Sequence, residues 1–184
     1  MHCNLKIRRV VKTILVTGPI AGGKSSVCSI LKSRGYAVYD SDSRAKALYS
    51  KIPGLKERIC NALDTTFDSL DIIFRDQVKR QKLEDILYPL VREDFEKWKD
   101  GQSSEEVIFE SANAWGKPQF EGCFDEVWLV KAPYELRANR NTKALERDKI
   151  QNFDTVSPDI IIVNDGSLEQ LEQKLEKILW KKQI

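Results

Sequence analysis

The stretch Gly18-Pro-Ile-Ala-Gly-Gly-Lys-Ser25 decides the fold. It follows the apolar run Thr13-Ile-Leu-Val-Thr17 directly, so flexible residues and a cation come straight after a strand-like segment. Gly18, Gly23, Lys24 and Ser25 satisfy the spacing GxxxxGK[ST]. Glycine lets backbone N–H groups approach phosphate oxygens closely. Lys24 can neutralise charge on the β- and γ-phosphates, and the Ser25 hydroxyl suits Mg²⁺. Such a loop needs a strand before it and a helix after it, whose positive end adds to the anion site. Thr13–Thr17 reads as a buried strand. Lys24–Arg34 reads as a helix with Val27, Ile30 and Leu31 on one face, ended by Gly35.

The same alternation continues outward. Strands are expected at Tyr36–Asp40, Val107–Phe109, Glu126–Val130 and Asp159–Val163. The last three runs are apolar inside and polar at their ends, the pattern of strands buried on both faces. A final helix spans Leu168–Trp180, with Leu168, Leu171, Leu175, Ile178 and Leu179 on one apolar side. Strands alternating with helices imply an α/β fold: a parallel five-stranded sheet covered by helices. The rhythm breaks over about 55–99, where Leu83, Ile86, Leu87, Leu90, Val91, Phe95 and Trp98 fall at helical spacing, so a helical insertion is expected there. Tyr88-Pro89 reads as a break within it.

Composition sets bounds on function. The 184 residues suit one domain; 41% are hydrophobic and 32% charged, as in ordinary globular chains. The net charge of +2 gives no global field for nucleic acid or an anionic membrane surface. No apolar run approaches the roughly 20 residues of a membrane span, and a cytoplasmic location is expected. The four cysteines (Cys3, Cys28, Cys60, Cys123) are far apart and read as reduced thiols. With His2 the only histidine, a general base must be Asp, Glu, Lys or Tyr. Oligomeric state is not legible in the sequence.

A phosphate loop specifies a nucleotide, not a reaction. In open parallel sheets, ligands bind beyond the carboxyl ends of the strands. Asp40 and Asp42 stand at the end of the second strand, which puts Asp40 near the γ-phosphate end of the loop. Asp40 closes an apolar strand rather than starting a helix, and is read as functional: base, orienting group or water-mediated Mg²⁺ contact. For Asp42, capping of the following helix and substrate binding stay equally open.

These residues carry a family resemblance. The segment TGPIAGGKSSVCSILKSRGYAVYDSDSRAKALY (17–49) resembles the opening of dephospho-coenzyme A kinases, roughly TGGIGSGKSTVA…LGAxVIDADxIAREL. KLEDILYPLV (82–91) resembles their LExIxHPxV, and VIFESA (107–112) the strand that ends in an acid. FDEVWLVKAPYELRANR (124–140) resembles DxVVVVxAPxExQxxRL, and PDIIIVNDGSLEQLEQKL (158–175) resembles ADxVIxNxGSxExLxxQV. The matches keep their order nearly end to end.

The resemblance implies a P-loop kinase that uses ATP with Mg²⁺ and phosphorylates the 3′-hydroxyl of dephospho-CoA. By position, Ala21, Gly22, Gly23, Lys24, Ser25 and Ser26 take the place of its ATP loop, with Ser25 on the metal. Asp40 matches the base, and Asp42 and Glu110 match groups facing the acceptor. Arg140 matches the first lid arginine, and the lid is expected over about 137–151. Asn164, Gly166 and Ser167 match a loop beside the adenine, and the insertion of about 55–99 matches the acceptor-binding helices.

The chain also departs from the pattern. Thr65–Leu70 lacks the arginine of IDRxxL, Tyr88-Pro89 replaces HP, Asn113–Lys117 replaces LLFE, and the lid is shorter, with its next arginine missing. Arg147 either matches a later arginine or takes over the lost one's work, and seven residues of unbroken helix would put it on the face of Arg140. Two alternatives follow: a P-loop kinase of another small alcohol or nucleotide, and a nucleotide-binding paralogue without turnover.

Overall fold

The computed structural model describes residues 11–67, 76–148 and 153–182. His2, Cys3, the end of the Thr65–Leu70 segment and the last part of the expected lid lie outside them. Five strands form one parallel sheet: β1 (Lys12–Thr17), β2 (Ala37–Asp40), β3 (Glu106–Glu110), β4 (Glu126–Lys131) and β5 (Ile160–Val163). Their order is β2-β3-β1-β4-β5. Each strand end falls within one residue of its sequence expectation. The chain moves to one side of β1 for β2 and β3, then crosses to the other for β4 and β5. The loop after β1 therefore stands where the connections diverge, the ligand-binding point of such sheets.

Side chains alternate between two apolar layers. On one face Ile14, Val16, Ile108, Trp128, Val130 and Ile162 pack against α1 (Lys24–Ser33) and α7 (Leu168–Lys182). On the other face Leu15, Tyr39, Phe109 and Leu129 meet α2 (Ser41–Lys51), α3 (Leu55–Leu63) and α4 (Gln77–Asp100). The insertion is helical as expected, and its last helix runs the length of this second layer. Here Tyr39, Phe95 and Phe109 form a ring cluster with centroids 4.8–5.1 Å apart. Each such buried ring contributes roughly 1.5–3 kcal/mol.

Two expectations are corrected. β5 is not buried on both faces: Ile162 is 1% exposed, but Ile161 is 53% exposed and Val163 43%. It is the edge strand, and α7 covers only one side of it. Pro89 does not break its helix either; it lies inside the 24-residue α4. Leu87, Val91 and Phe95 are buried on either side of it, and the Tyr88 ring packs 5.3 Å from Phe120. That packing outweighs the one backbone hydrogen bond proline removes.

A polar hub ties these layers together. Asp94 accepts from Tyr39 Oη at 2.8 Å, and from Arg44 Nε at 2.7 Å and Nη2 at 2.9 Å. It thereby joins α4 to β2 and α2. Burial pushes the Asp94 carboxyl up, but the bonds from Arg44 and Tyr39 outweigh it and hold it below the usual value. Asp94→Ala is expected to cost about 2–4 kcal/mol in urea unfolding, because it strands a partly buried guanidinium and phenol. A carboxyl depressed on folding stabilises above its unfolded pKa of about 3.9. That contribution should fall away as pH drops below about 4, and should be missing from the pH–stability curve of Asp94→Ala.

Candidate active site

The loop between β1 and α1 is held in shape from outside itself. Gly18 has φ +145°, and a side-chain carbon there would sit 2.1 Å from the Val130 carbonyl oxygen. Gly23 has φ +100°, and a side-chain carbon there would meet Asn164 Nδ2 at 2.0 Å. Both glycines are required by close approach as well as by dihedral angle. Ala21 takes φ 57° without being glycine, a left-handed conformation that is uncommon for a residue with a side chain.

Lys24 Nζ donates to the carbonyls of Gly18 at 2.9 Å and Pro19 at 3.2 Å, which fixes the ammonium over the loop. Desolvation draws it below the ordinary lysine value, against the pull of Glu110 and Asp42. Ser25 Oγ donates to Glu110 Oε1 at 2.8 Å. Glu110 ends β3, in register with Val16 of β1 and with Asp40 of β2. Parallel pairing thus brings the loop serine, Glu110 and Asp40 to one edge from segments 85 and 70 residues apart. Cys28, one turn into α1, lies beneath them; burial and then Glu110 push its thiol up.

The aspartates do not divide their work as the sequence suggests. Asp40, not Asp42, caps α2: its Oδ1 accepts from the N–H groups of Asp42 and Ser43 at 3.1 Å each. Ser43 Oγ adds a bond to Oδ2 at 2.6 Å. The expectation that Asp40 closes a strand without starting a helix is therefore corrected, because β2 runs into α2 with no intervening loop. Capping for Asp42 is excluded. For Asp42, desolvation and then the charge of Asp40 push its carboxyl up, while Lys24, Lys46 and Arg147 pull it down, so it stands within reach of the loop cation.

A cleft of about 370 Å³ opens beside the loop, lined by Ala21, Gly23, Lys24, Ser25, Ser26 and Arg140 on one side. Asn164, Gly166, Leu168 and Leu171 line the other. Arg140 Nη1 donates to the Ala21 carbonyl at 3.3 Å, so the expected lid arginine lies over the loop. Gly18 and Gly22 do not line this cleft; they shape the loop from behind. Asn164 is 6% exposed, and its amide donates to the Gly22 carbonyl at 3.1 Å, so it buttresses the loop. Ser167 is not among the lining residues. It caps α7 reciprocally with Gln170, through Ser167 N to Gln170 Oε1 at 2.9 Å and Gln170 N to Ser167 Oγ at 3.2 Å.

The sequence reading missed Leu168 as a cleft residue. Its helical spacing assigns it to the core, yet it is 64% exposed at the cleft wall. Also missed is the polar wall on α4. Glu84 is buried and accepts from Lys117 Nζ at 2.5 Å. Burial, and then Glu84, push the neighbouring Tyr88 phenol up, and the charge of Asp42 acts on it too. Lys117 belongs to the segment that replaces LLFE, so the departures from the pattern at Tyr88 and Lys117 meet in space. Arg140 and Arg147 do not share a helix. α5 (Tyr134–Arg140) stops at Asn141, whose backbone is extended, and α6 (Ala144–Asp148) starts anew.

With this geometry in view, the chain can be set beside known proteins. A family model described as Dephospho-CoA kinase matches residues 12–170. The dephospho-CoA kinase of Frankia casuarinae is 30% identical over 189 residues, covering 92% of this chain and 82% of that protein. The crystal structure of TT1252 from Thermus thermophilus aligns with a TM-score of 0.75 at 28% identity, covering 93% of this chain and 97% of the other. Dephospho-CoA kinase from Campylobacter jejuni shares the fold, with a TM-score of 0.54 at 20% identity and coverage of 94% and 97%. The fold is that of P-loop kinases, and the chain belongs to the dephospho-CoA kinase family, which catalyses the ATP-dependent phosphorylation of dephospho-CoA to CoA.

Proposed function

We propose that this chain transfers the ATP γ-phosphoryl group to the 3′-hydroxyl of dephospho-CoA, with the residues of the β1 and β3 edge as its machinery. One observation carries the assignment of roles: Lys24, Ser25, Glu110, Asp40 and Asp42 meet at the carboxyl edge of three adjacent strands, with Arg140 across the loop. Phosphoryl transfer asks mainly for positioning and charge stabilisation. Lys24, Arg140 and the backbone N–H groups from Ala21 to Ser26 hold the nucleotide phosphates. Asn164 and Gly166 shape the base side of the cleft, and Ser167 acts there only through the start of α7.

The Ser25 hydroxyl and the Glu110 carboxylate are hard oxygens 2.8 Å apart, a donor set that fits Mg²⁺ arriving with the nucleotide. Ser25 would hold the ion, and Glu110 would orient Ser25 or its water. When bound, the metal neutralises charge on the β- and γ-oxygens.

Asp40 is exposed, and a carboxylate has about four acceptor sites. Three are taken by Asp42 N, Ser43 N and Ser43 Oγ, so one remains to accept the ribose proton. The cap also fixes the direction of that site. Asp42, Tyr88 and the Glu84–Lys117 pair form the acceptor wall, α3 and α4 bind the acceptor, and α5–α6 act as the lid. The working protein is a cytoplasmic enzyme of small molecules, which fits its net charge of +2 and the free thiols of Cys28, Cys60 and Cys123.

A panel of alcohol acceptors with ATP tests this reading, with phosphorylated dephospho-CoA as the expected product. The altered wall at Tyr88 and Lys117 favours one rival, a different small alcohol; turnover of that acceptor alone would establish it. ATP binding without turnover of any acceptor would make the chain a binding paralogue.

Lys24→Ala is expected to lower turnover roughly 10²–10³-fold, with an unchanged circular dichroism spectrum. Undiminished turnover would remove Lys24 from the charge-stabilising role. Asp40→Asn keeps a capping oxygen but cannot accept a proton. Turnover should fall about 10²–10⁴-fold while ATP affinity and thermal midpoint stay near wild type; a variant that loses Mg²⁺ affinity instead would reassign Asp40 to the metal.

A further inference from the structure

Arg137 has no part in the machinery above, yet it is the most deeply buried cation beside it. It is 8% exposed on α5. Its Nη1 and Nη2 fork onto Asp148 Oδ1 and Oδ2 at 2.8 and 2.5 Å. The guanidinium carbon stands 5.9 Å from the Tyr134 ring centre, and Nε is buried with no partner among the described residues. A buried charge needs compensation, and here the Asp148 fork supplies it. Its helix touches the phosphate loop through Arg140, which donates to the Ala21 carbonyl, and the charge of Arg137 reaches Lys24.

The placement of the two partners is specific. Arg137 precedes Arg140 by three residues on the same helix, so both lie on one face. Asp148 directly follows Arg147 on α6. Between the helices lie only residues 141–143, where Asn141 Oδ1 accepts from Lys143 N at 2.9 Å and restarts the helix. Arg140 meets the loop at Ala21, while the charge of Arg147 acts on Asp42. One ion pair thus bridges the corner between the arginine that meets the loop and the arginine whose charge reaches Asp42. The pattern APxExQxxRL has glutamine where Arg137 stands, and glutamine cannot form this charged fork.

We propose that Arg137 is the positioning residue of the shortened lid: its fork on Asp148 fixes the angle between α5 and α6, and so aims Arg140 at the donor phosphates and Arg147 at the acceptor. The proposal rests on the kinase reading above. A short lid cannot rely on length to reach both sides, and a rigid corner achieves the same aim.

The test uses the full chain as wild type, Arg137→Gln, Arg137→Lys, Asp148→Asn, the double variant Arg137→Gln/Asp148→Asn, and the reversed pair Arg137→Asp/Asp148→Arg. Steady-state phosphorylation of dephospho-CoA, thermal midpoint and hydrogen exchange of amides 141–148 are measured for each. Arg137→Gln and Asp148→Asn should each lower kcat roughly tenfold to a hundredfold, with KM for ATP changing less and exchange across 141–148 accelerated. The double variant should be no worse than the worse single one, because both break one interaction. The reversed pair should recover part of kcat, and Arg137→Lys, a point charge without the fork, little of it.

Wild-type kcat in Arg137→Gln, or losses that multiply in the double variant, would overturn the proposal. So would a lower thermal midpoint with unchanged kcat per folded molecule, the mark of a merely structural pair. If wild type leaves dephospho-CoA untouched, the kinase reading fails separately. Exchange then decides the brace: unaltered protection of 141–148 in Arg137→Gln refutes it, and accelerated exchange supports it.

Discussion

The contact on which the rest depends is the one between the phosphate loop and the two strands beside it. Gly18 lies against the Val130 carbonyl at the end of β4, and Asn164, just past β5, donates to the Gly22 carbonyl. The loop is thereby clamped by β4 and by the turn into α7, and its N–H groups keep the concave shape that a phosphate requires. Without that clamp, three glycines in eight residues would be a mobile turn. The clamp explains why a small amide is buried at position 164, and why Ala21 can persist at a positive φ.

From the clamp, parallel pairing determines the chemistry. β1 pairs with β3 so that Val16 stands beside Glu110, and β2 pairs with β3 so that Glu110 stands beside Asp40. Acids therefore gather next to a cation-bearing loop. Desolvation at this edge raises Asp42, with Asp40 adding to it, and lowers Lys24 against the pull of the acids, so each is shifted against its charged form.

The proposed acceptor side is built on different physics. α4 is held to the sheet by an aromatic cluster around Tyr39 and by the Asp94 hub, and only then presents Glu84 and Tyr88 toward Asp42. The rigid layer lies behind and the polar wall in front. The wall can change, as Tyr88 and Lys117 do here, without loosening the helix that carries it. Family membership and an altered polar wall are therefore compatible in one chain.

The sequence by itself determined the order of strands and helices, the nature and position of the phosphate loop, and the helical character of the insertion. These depend on neighbours in the chain: period-2 and period-3.6 patterns, and glycines whose spacing has one chemical use. The tertiary structure alone decided which aspartate caps α2, that Asn164 buttresses the loop, and that Ser167 caps a helix. It also decided that Pro89 is tolerated, that β5 has an open face, that Lys117 finds Glu84, and that Arg140 and Arg147 sit on separate helices. Each of these depends on a partner or a covering layer brought up by the fold. A carboxylate or an amide has the same local pattern whether it binds substrate or satisfies a backbone N–H, and the difference lies in what the folded chain places against it.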